Sequence, residues 1–216
     1  MRDIHFPKWL NTIRVPALIG AAFGGIYLIA FVWIGFSPRA TDVGYQPKQP
    51  VDFSHALHAG ELGIDCRYCH NTVEISSHAA TPPTQTCMGC HNMIRPTSKK
   101  LEPLREAYAK DIPLQWVKVH DLPDYVYFNH SAHVNRGIGC VSCHGRIDKM
   151  DRVFQQEPLS MGWCLECHRN PENNLRPKDK ITKMDYKPES SQLTAGLQLK
   201  KDYHLNPSTD CSTCHR

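Results

Sequence analysis

The chain is short of the residues from which a core for its length would ordinarily be built. Aromatic residues are 9% of the 216, and 16 prolines and 13 glycines interrupt what regular structure the rest would form. A conventional domain of long helices or broad sheet is therefore excluded unless something other than side chains supplies the apolar interior. Concentrated positive charge is also missing. The net charge is +4, the basic residues are scattered, and no patch of the kind that grips nucleic acid is present. Finally, no cysteine stands alone: all ten occur in pairs of the form C-x-x-C.

Each pair is followed at once by a histidine. The five motifs are Cys66-x-x-Cys69-His70, Cys87-x-x-Cys90-His91, Cys140-x-x-Cys143-His144, Cys164-x-x-Cys167-His168 and Cys211-x-x-Cys214-His215. Two thiols at this spacing can take the vinyl groups of one haem as thioethers while the adjacent imidazole reaches the iron. Paired cysteines also suit tetrathiolate zinc or disulfides, but neither requires a histidine after every pair. The motifs predict five covalently bound c-type haems, whose flat apolar faces replace the missing core. The expected fold class is a multihaem cytochrome c, with short α-helices and extensive coil around the haems and one N-terminal transmembrane helix.

A larger unit repeats. Phe53-x-His55-x-x-His58 precedes the first motif, and Phe128-x-His130-x-x-His133 precedes the third; from Phe to the first Cys is 13 residues in one copy and 12 in the other. A second motif follows 21 residues after Cys66 and 24 after Cys140. The modules span 53–91 and 128–168, with a fifth motif at 211–215. Histidines three apart lie about 60° apart around a helix, close enough to share a backbone yet address different irons. His55, His58, His130 and His133 are therefore candidate distal ligands.

For the fifth distal position the candidates are His120, Met150 and Met161, with His78 and His204 weaker because nothing repeats around them. Met161 is only three residues before Cys164, awkward for the adjoining iron. Met150 lies 14 residues upstream of Cys164, comparable to the 11 and 10 residues from His55 and His130 to their own motifs. Met150 is expected on the fourth haem if one site is His/Met, and His120 if all are bis-histidine. A thioether ligand would raise that haem's potential.

At the N-terminus, residues 1–14 form a basic tail, and Val15–Phe36 runs 22 residues without a charge. As a helix that is roughly 33 Å, enough to cross a hydrocarbon core of about 30 Å. A cleaved signal peptide would have a shorter apolar run and an A-x-A-like site, which Ser37–Thr41 does not resemble. Trp9 and Trp33 near the two ends and the basic tail predict a single-pass anchor in the bacterial inner membrane, with residues 53–216 periplasmic. Gly20-x-x-x-Gly24 offers a small-residue face for a neighbouring helix. Residues 37–52, with three prolines, read as an extended tether.

Between the modules, Leu101–Lys110 predicts a short helix with Pro103 in its first turn. The stretch 169–210 is polar and lysine-rich, and is expected to lie over the haem module rather than form a core. With Arg2, Lys8, Arg14 and Asp3 set aside, residues 37–216 carry 22 Lys and Arg against 20 Asp and Glu. Haem propionates would make this region acidic, so many of its basic residues should be propionate partners.

The stretch Phe128–His133 ahead of Cys140 resembles the class III cytochrome c family. That resemblance implies that His55 and His130 serve the first and third haems and that His58 and His133 serve others. The wider pattern is similar to the pentahaem cytochrome subunit of bacterial alternative complex III. It comprises one anchor, five motifs, His120-Asp121-Leu122-Pro123 before Tyr127-Phe128-Asn129-His130, and Pro158-Leu159-Ser160-Met161-Gly162-Trp163 before Cys164. It covers nearly the whole chain apart from 169–210. It implies an electron-transfer subunit, not an enzyme on its own, in a quinol-oxidising respiratory complex. The implied partners are integral membrane quinol-binding subunits, an iron–sulfur subunit, a monohaem cytochrome c and a terminal oxidase. The rival reading is a self-sufficient membrane-anchored quinol dehydrogenase feeding periplasmic reductases; such proteins typically place a methionine shortly after one attachment histidine, and no motif here is followed by x-Met.

Overall fold

The computed structural model describes residues 7–35 and 41–215; the start of the basic tail, Phe36 and the first part of the tether lie outside them. The chain divides into two compact units, Met1–Asp42 and Val43–Arg216. In the first, α1 runs Trp9–Gly35 with no buried residue. At about 1.5 Å per residue it is about 40 Å long. It is apolar around its circumference, and it is long and apolar enough to cross a membrane. It begins six residues before the charge-free run, taking in Arg14.

The second unit is short helices joined by coil. Its helices are α2 Cys66–Cys69, α3 Thr84–His91, α4 Glu102–Ala109, α5 His130–Val134, α6 Val141–His144, α7 Met161–Arg169, α8 Gln192–Asp202 and α9 Cys211–Cys214. A π-helical turn covers Ala56–Glu61. Among the described residues the only β-pairing is an isolated bridge between Ile138 and Leu175. The helices start where capping chemistry allows: Asp65 accepts from the Arg67 N–H, Asn129 from Ala132, Ser160 from Trp163 and Ser191 from Thr194. The helix expected near Leu101–Lys110 is α4, with its proline in the first turn.

The tether is docked along its second half. Gly44 N–H donates to Gln155 O and Gln155 N–H to Tyr45 O, Gln49 exchanges hydrogen bonds with the Val117 backbone, and Val51 is buried.

Residues 169–210, expected to lack a core of their own, in fact contribute Pro171, Leu175, Ile181 and Leu205 to the buried set. α8 packs on the 3-10 turn Pro171–Asn173. The approach is so close that a Cβ on Gly196 would collide with the Glu172 carbonyl. Gln192 donates to the Glu172 and Leu175 carbonyls, and Lys200 pairs with the mostly buried Glu172 at 3.0 Å. The few apolar residues of this stretch are concentrated at one contact, which hydropathy averaged along the sequence hides.

Candidate functional site

All five C-x-x-C-H motifs fold alike. Each cysteine pair sits on one helical turn, which puts the two thiols on the same side. The N–H of the following histidine returns to the first cysteine's carbonyl: His70 to Cys66 at 2.8 Å, His144 to Cys140 at 3.0 Å and His215 to Cys211 at 2.9 Å, while His91 ends α3 and His168 lies in the last turn of α7. None of the ten cysteines is paired in a disulfide.

The repeat is also one of tertiary geometry. Phe53 meets His55 edge-on (4.8 Å between ring centres, 86°) and stacks on His58 (4.3 Å, 27°). Phe128 meets His130 edge-on (4.8 Å, 89°) and stacks on His133 (4.6 Å, 25°). In each copy one phenyl ring fixes the orientation of two imidazoles.

Among the described residues seven imidazoles are held by the same device, an Nδ1 bonded to a backbone carbonyl. Two of these bonds are local and equivalent, His58 to Ser54 (2.8 Å) and His133 to Asn129 (2.7 Å). The others are His70 to Ala80, His91 to Ile94, His130 to Ser77, His168 to Ser208 and His215 to Tyr125. A carbonyl only accepts, so Nδ1 carries the proton and Nε2 presents a lone pair, the tautomer that binds a metal.

Two imidazole pairs span modules internally. His58 and His91 have ring centres 6.2 Å apart, and His133 and His168 have them 6.1 Å apart. Two iron–nitrogen bonds of about 2 Å, with about 1.1 Å from each nitrogen to its ring centre, separate axial imidazoles by roughly 6.2 Å. His130 and His144 are parallel within 7° at 6.5 Å. His120 lies edge-on to His144 at 4.4 Å, too near for an iron between them.

Burial keeps five imidazoles neutral. Desolvation, reinforced by neighbouring imidazoles, holds His144 down to about 3 and His55 down to about 4, and burial also lowers His120, His130 and His133. Neutral imidazole is the ligating form. Nδ1 of His55 and His144 and Nε2 of His120 are sealed from solvent without a hydrogen-bond partner. Burial likewise pushes the Cys143 thiol up to about 12. The donor set therefore fits haem: paired thiols on one turn, each beside an imidazole, and imidazoles opposed in pairs as two axial ligands are.

Other candidates fall elsewhere. The buried Met150 accepts from the Ala56 N–H at the π turn, whereas the imidazole facing His168 is that of His133. Met161, His78 and His204 are exposed. Sequence reasoning did not reach the distant carbonyls that pin the imidazoles. Only Ser54 and Asn129, four residues before the second histidine of each module, were discoverable from helix periodicity.

Fold and site together define a multihaem cytochrome c carrying covalently bound c-type haem, with one N-terminal apolar helix. More particularly, residues 36–113 match the class III cytochrome C family and residues 126–216 match the family of cytochrome c7 and related cytochromes c. The two matches divide the chain as the internal repeat does. The chain is also similar to the menaquinone reductase multiheme cytochrome c subunit of Nitratidesulfovibrio vulgaris, 27% identical over 173 residues, which is 70% of this chain and 80% of that protein. It is a multihaem electron-transfer protein homologous to that subunit.

Proposed function

We propose that this protein carries five haems, one on each motif, and relays electrons as a membrane-anchored subunit of a quinone-linked respiratory complex. The observation that carries this reading is the opposition of His58 to His91 and of His133 to His168 at 6.2 and 6.1 Å. An iron with two imidazoles has no open position for substrate, so it passes electrons rather than performing chemistry on a ligand. On this reading His58 completes the second haem and His133 the fourth. His55 faces His70 on the first and His130 faces His144 on the third, with His120 and Met150 as candidates for the remaining distal position. The proximal ligands are His70, His91, His144, His168 and His215.

The finer assignment is the pentahaem subunit of an alternative complex III, oxidising quinol through neighbouring membrane subunits and an iron–sulfur subunit, with α1 in the inner membrane and residues 53–216 periplasmic. The motif order and flanking words support it, and the relationship to a menaquinone reductase subunit supports a quinone-linked complex. Purification from mildly solubilised membranes tests it. Multipass and iron–sulfur subunits should accompany the cytochrome, whose intact mass should carry five haems. A cytochrome that oxidises quinol alone would establish the self-sufficient dehydrogenase instead.

A further inference from the structure

Thiols of different motifs lie beside one another in a definite order. Cys87 of the second motif neighbours Cys69 of the first. Cys66 of the first neighbours Cys140 of the third. Cys143 of the third neighbours Cys164 and Cys167 of the fourth, and Cys164 neighbours Cys214 of the fifth.

Hydrogen bonds hold two of these junctions, first to third and fourth to fifth. The His130 and Ser131 N–H groups donate to the Ser77 and Ser76 carbonyls, and the Asn135 side chain donates to Glu74 O, so α5 is docked on the loop after the first motif. Ile181 O accepts from Cys140 N–H at 3.0 Å, while the hydroxyl of the next residue, Thr182, donates to Asp65 at 2.9 Å. One dipeptide thus bridges the starts of the first and third motifs. His168 reaches Ser208, just before the fifth motif, at 2.6 Å.

The junction between modules has the form of a two-fold contact. Cys66 and Cys140 occupy the same position in the repeat. The distal candidate of each module neighbours the proximal histidine of the other: His130 lies near His70, and His55 near His144. Reciprocal contact between equivalent positions is what an isologous interface produces. The modules therefore meet head to head through their first motifs, and their second motifs point outward. Exposure agrees, because the only exposed cysteines are Cys90 and Cys211, in the second and fifth motifs.

Resting on the five-haem reading, we infer that the haems stack in the spatial order second, first, third, fourth, fifth. Electrons then enter and leave at the second and fifth haems, and every electron crosses the junction between the first and third. Tunnelling falls steeply with the gap between macrocycles, so spatial order, not chain order, sets the path.

Two measurements on the purified holoprotein test this. Anomalous diffraction at the iron edge should place the first iron between the second and the third; a second iron lying between the first and third overturns the order. Fewer than five irons overturns the haem count instead, so the two failures are distinct. Independently, Cys87→Ala with Cys90→Ala removes the second haem. In the fully oxidised protein, paramagnetic resonance should then show one remaining ferric signal sharpened by loss of its magnetic neighbour. Two sharpened signals would mean that the second haem is interior and would refute the inference.

Discussion

Ahead of their first cysteines the two haem modules differ in length by one residue, and the structure reveals where that residue goes. In module 53–91 the Ile64 N–H donates to the His58 carbonyl, six residues back; in module 128–168 the Ile138 N–H donates to the His133 carbonyl, five residues back. From those isoleucines onward each copy has two residues to its first cysteine. The extra residue is absorbed in the π turn Ala56–Glu61, where the other copy has the α-helix His130–Val134. An added residue widens a helical turn rather than breaking it. The phenylalanine and both histidines lie at or before His58, and the added residue falls between His58 and Ile64, so their geometry is unchanged. Site geometry is thus the conserved quantity between the copies, and helix type is adjusted to preserve it.

Supports differ more than sites. Asp65, before the first cysteine of the first module, caps α2, takes two bonds from Arg67 and one from Thr182. The equivalent position in the second module is Gly139, where a Cβ would collide with the Arg176 side chain. Arg176 is mostly buried, donates to Lys183 O at 2.7 Å and lies over the Tyr186 ring. One module is secured by an exposed ion pair, the other by the packed 171–205 segment.

That contrast ranks the expected effects. Removing the haem at the junction, with Cys140→Ala and Cys143→Ala, should abolish folded protein, because both modules lose their shared interior and a domain has only about 5–15 kcal/mol of stability to lose. Removing the end haem with Cys211→Ala and Cys214→Ala should leave a folded protein of four haems. Intact mass and membrane abundance report both, and equal abundance of the two variants would deny that the junction is central.

Next, His58→Ala and His133→Ala should each convert one haem from low to high spin while all five stay attached. Equal conversion, counted by paramagnetic resonance, is the mark of equivalent modules; no conversion in either removes that histidine from the ligand set. Near-infrared magnetic circular dichroism separates the candidates for the remaining distal position. A methionine band lost in Met150→His assigns Met150, and a new high-spin haem in His120→Ala with no such band in the parent assigns His120.

Gly196→Ala should force α8 from the Glu172 carbonyl at a cost of about 1–3 kcal/mol, the range for overpacking. Thermal unfolding should fall by several degrees, and proteolysis should begin within 171–205 while module 53–91 stays protected. Smallest is Asp65→Asn, at about 1 kcal/mol or less, because the Arg67 pair is partly exposed and screened. Hydrogen bonds from Arg67 hold the Asp65 carboxyl down to about 2, from an ordinary value near 3.8. Its contribution is therefore complete above about pH 4 and fades as pH falls toward 2. The difference between parent and variant should close over that window in acid denaturation.

The sequence by itself determined what depends on short spacing: the five C-x-x-C-H motifs, the duplicated Phe-x-His-x-x-His, the apolar N-terminal helix and α4. Thioether attachment and helix formation are local, so residues a few positions apart suffice to specify them. Tertiary structure alone decided what depends on distant segments meeting. It opposed His58 to His91 and His133 to His168, and brought Ser77, Ala80 and Ser208 carbonyls to the imidazoles. It also folded a polar stretch into a buried support around Leu175. An iron needs ligands on two faces, and a chain tied covalently to one face must reach the other by folding back. The partner on that second face is chosen by packing, which no spacing along the chain encodes.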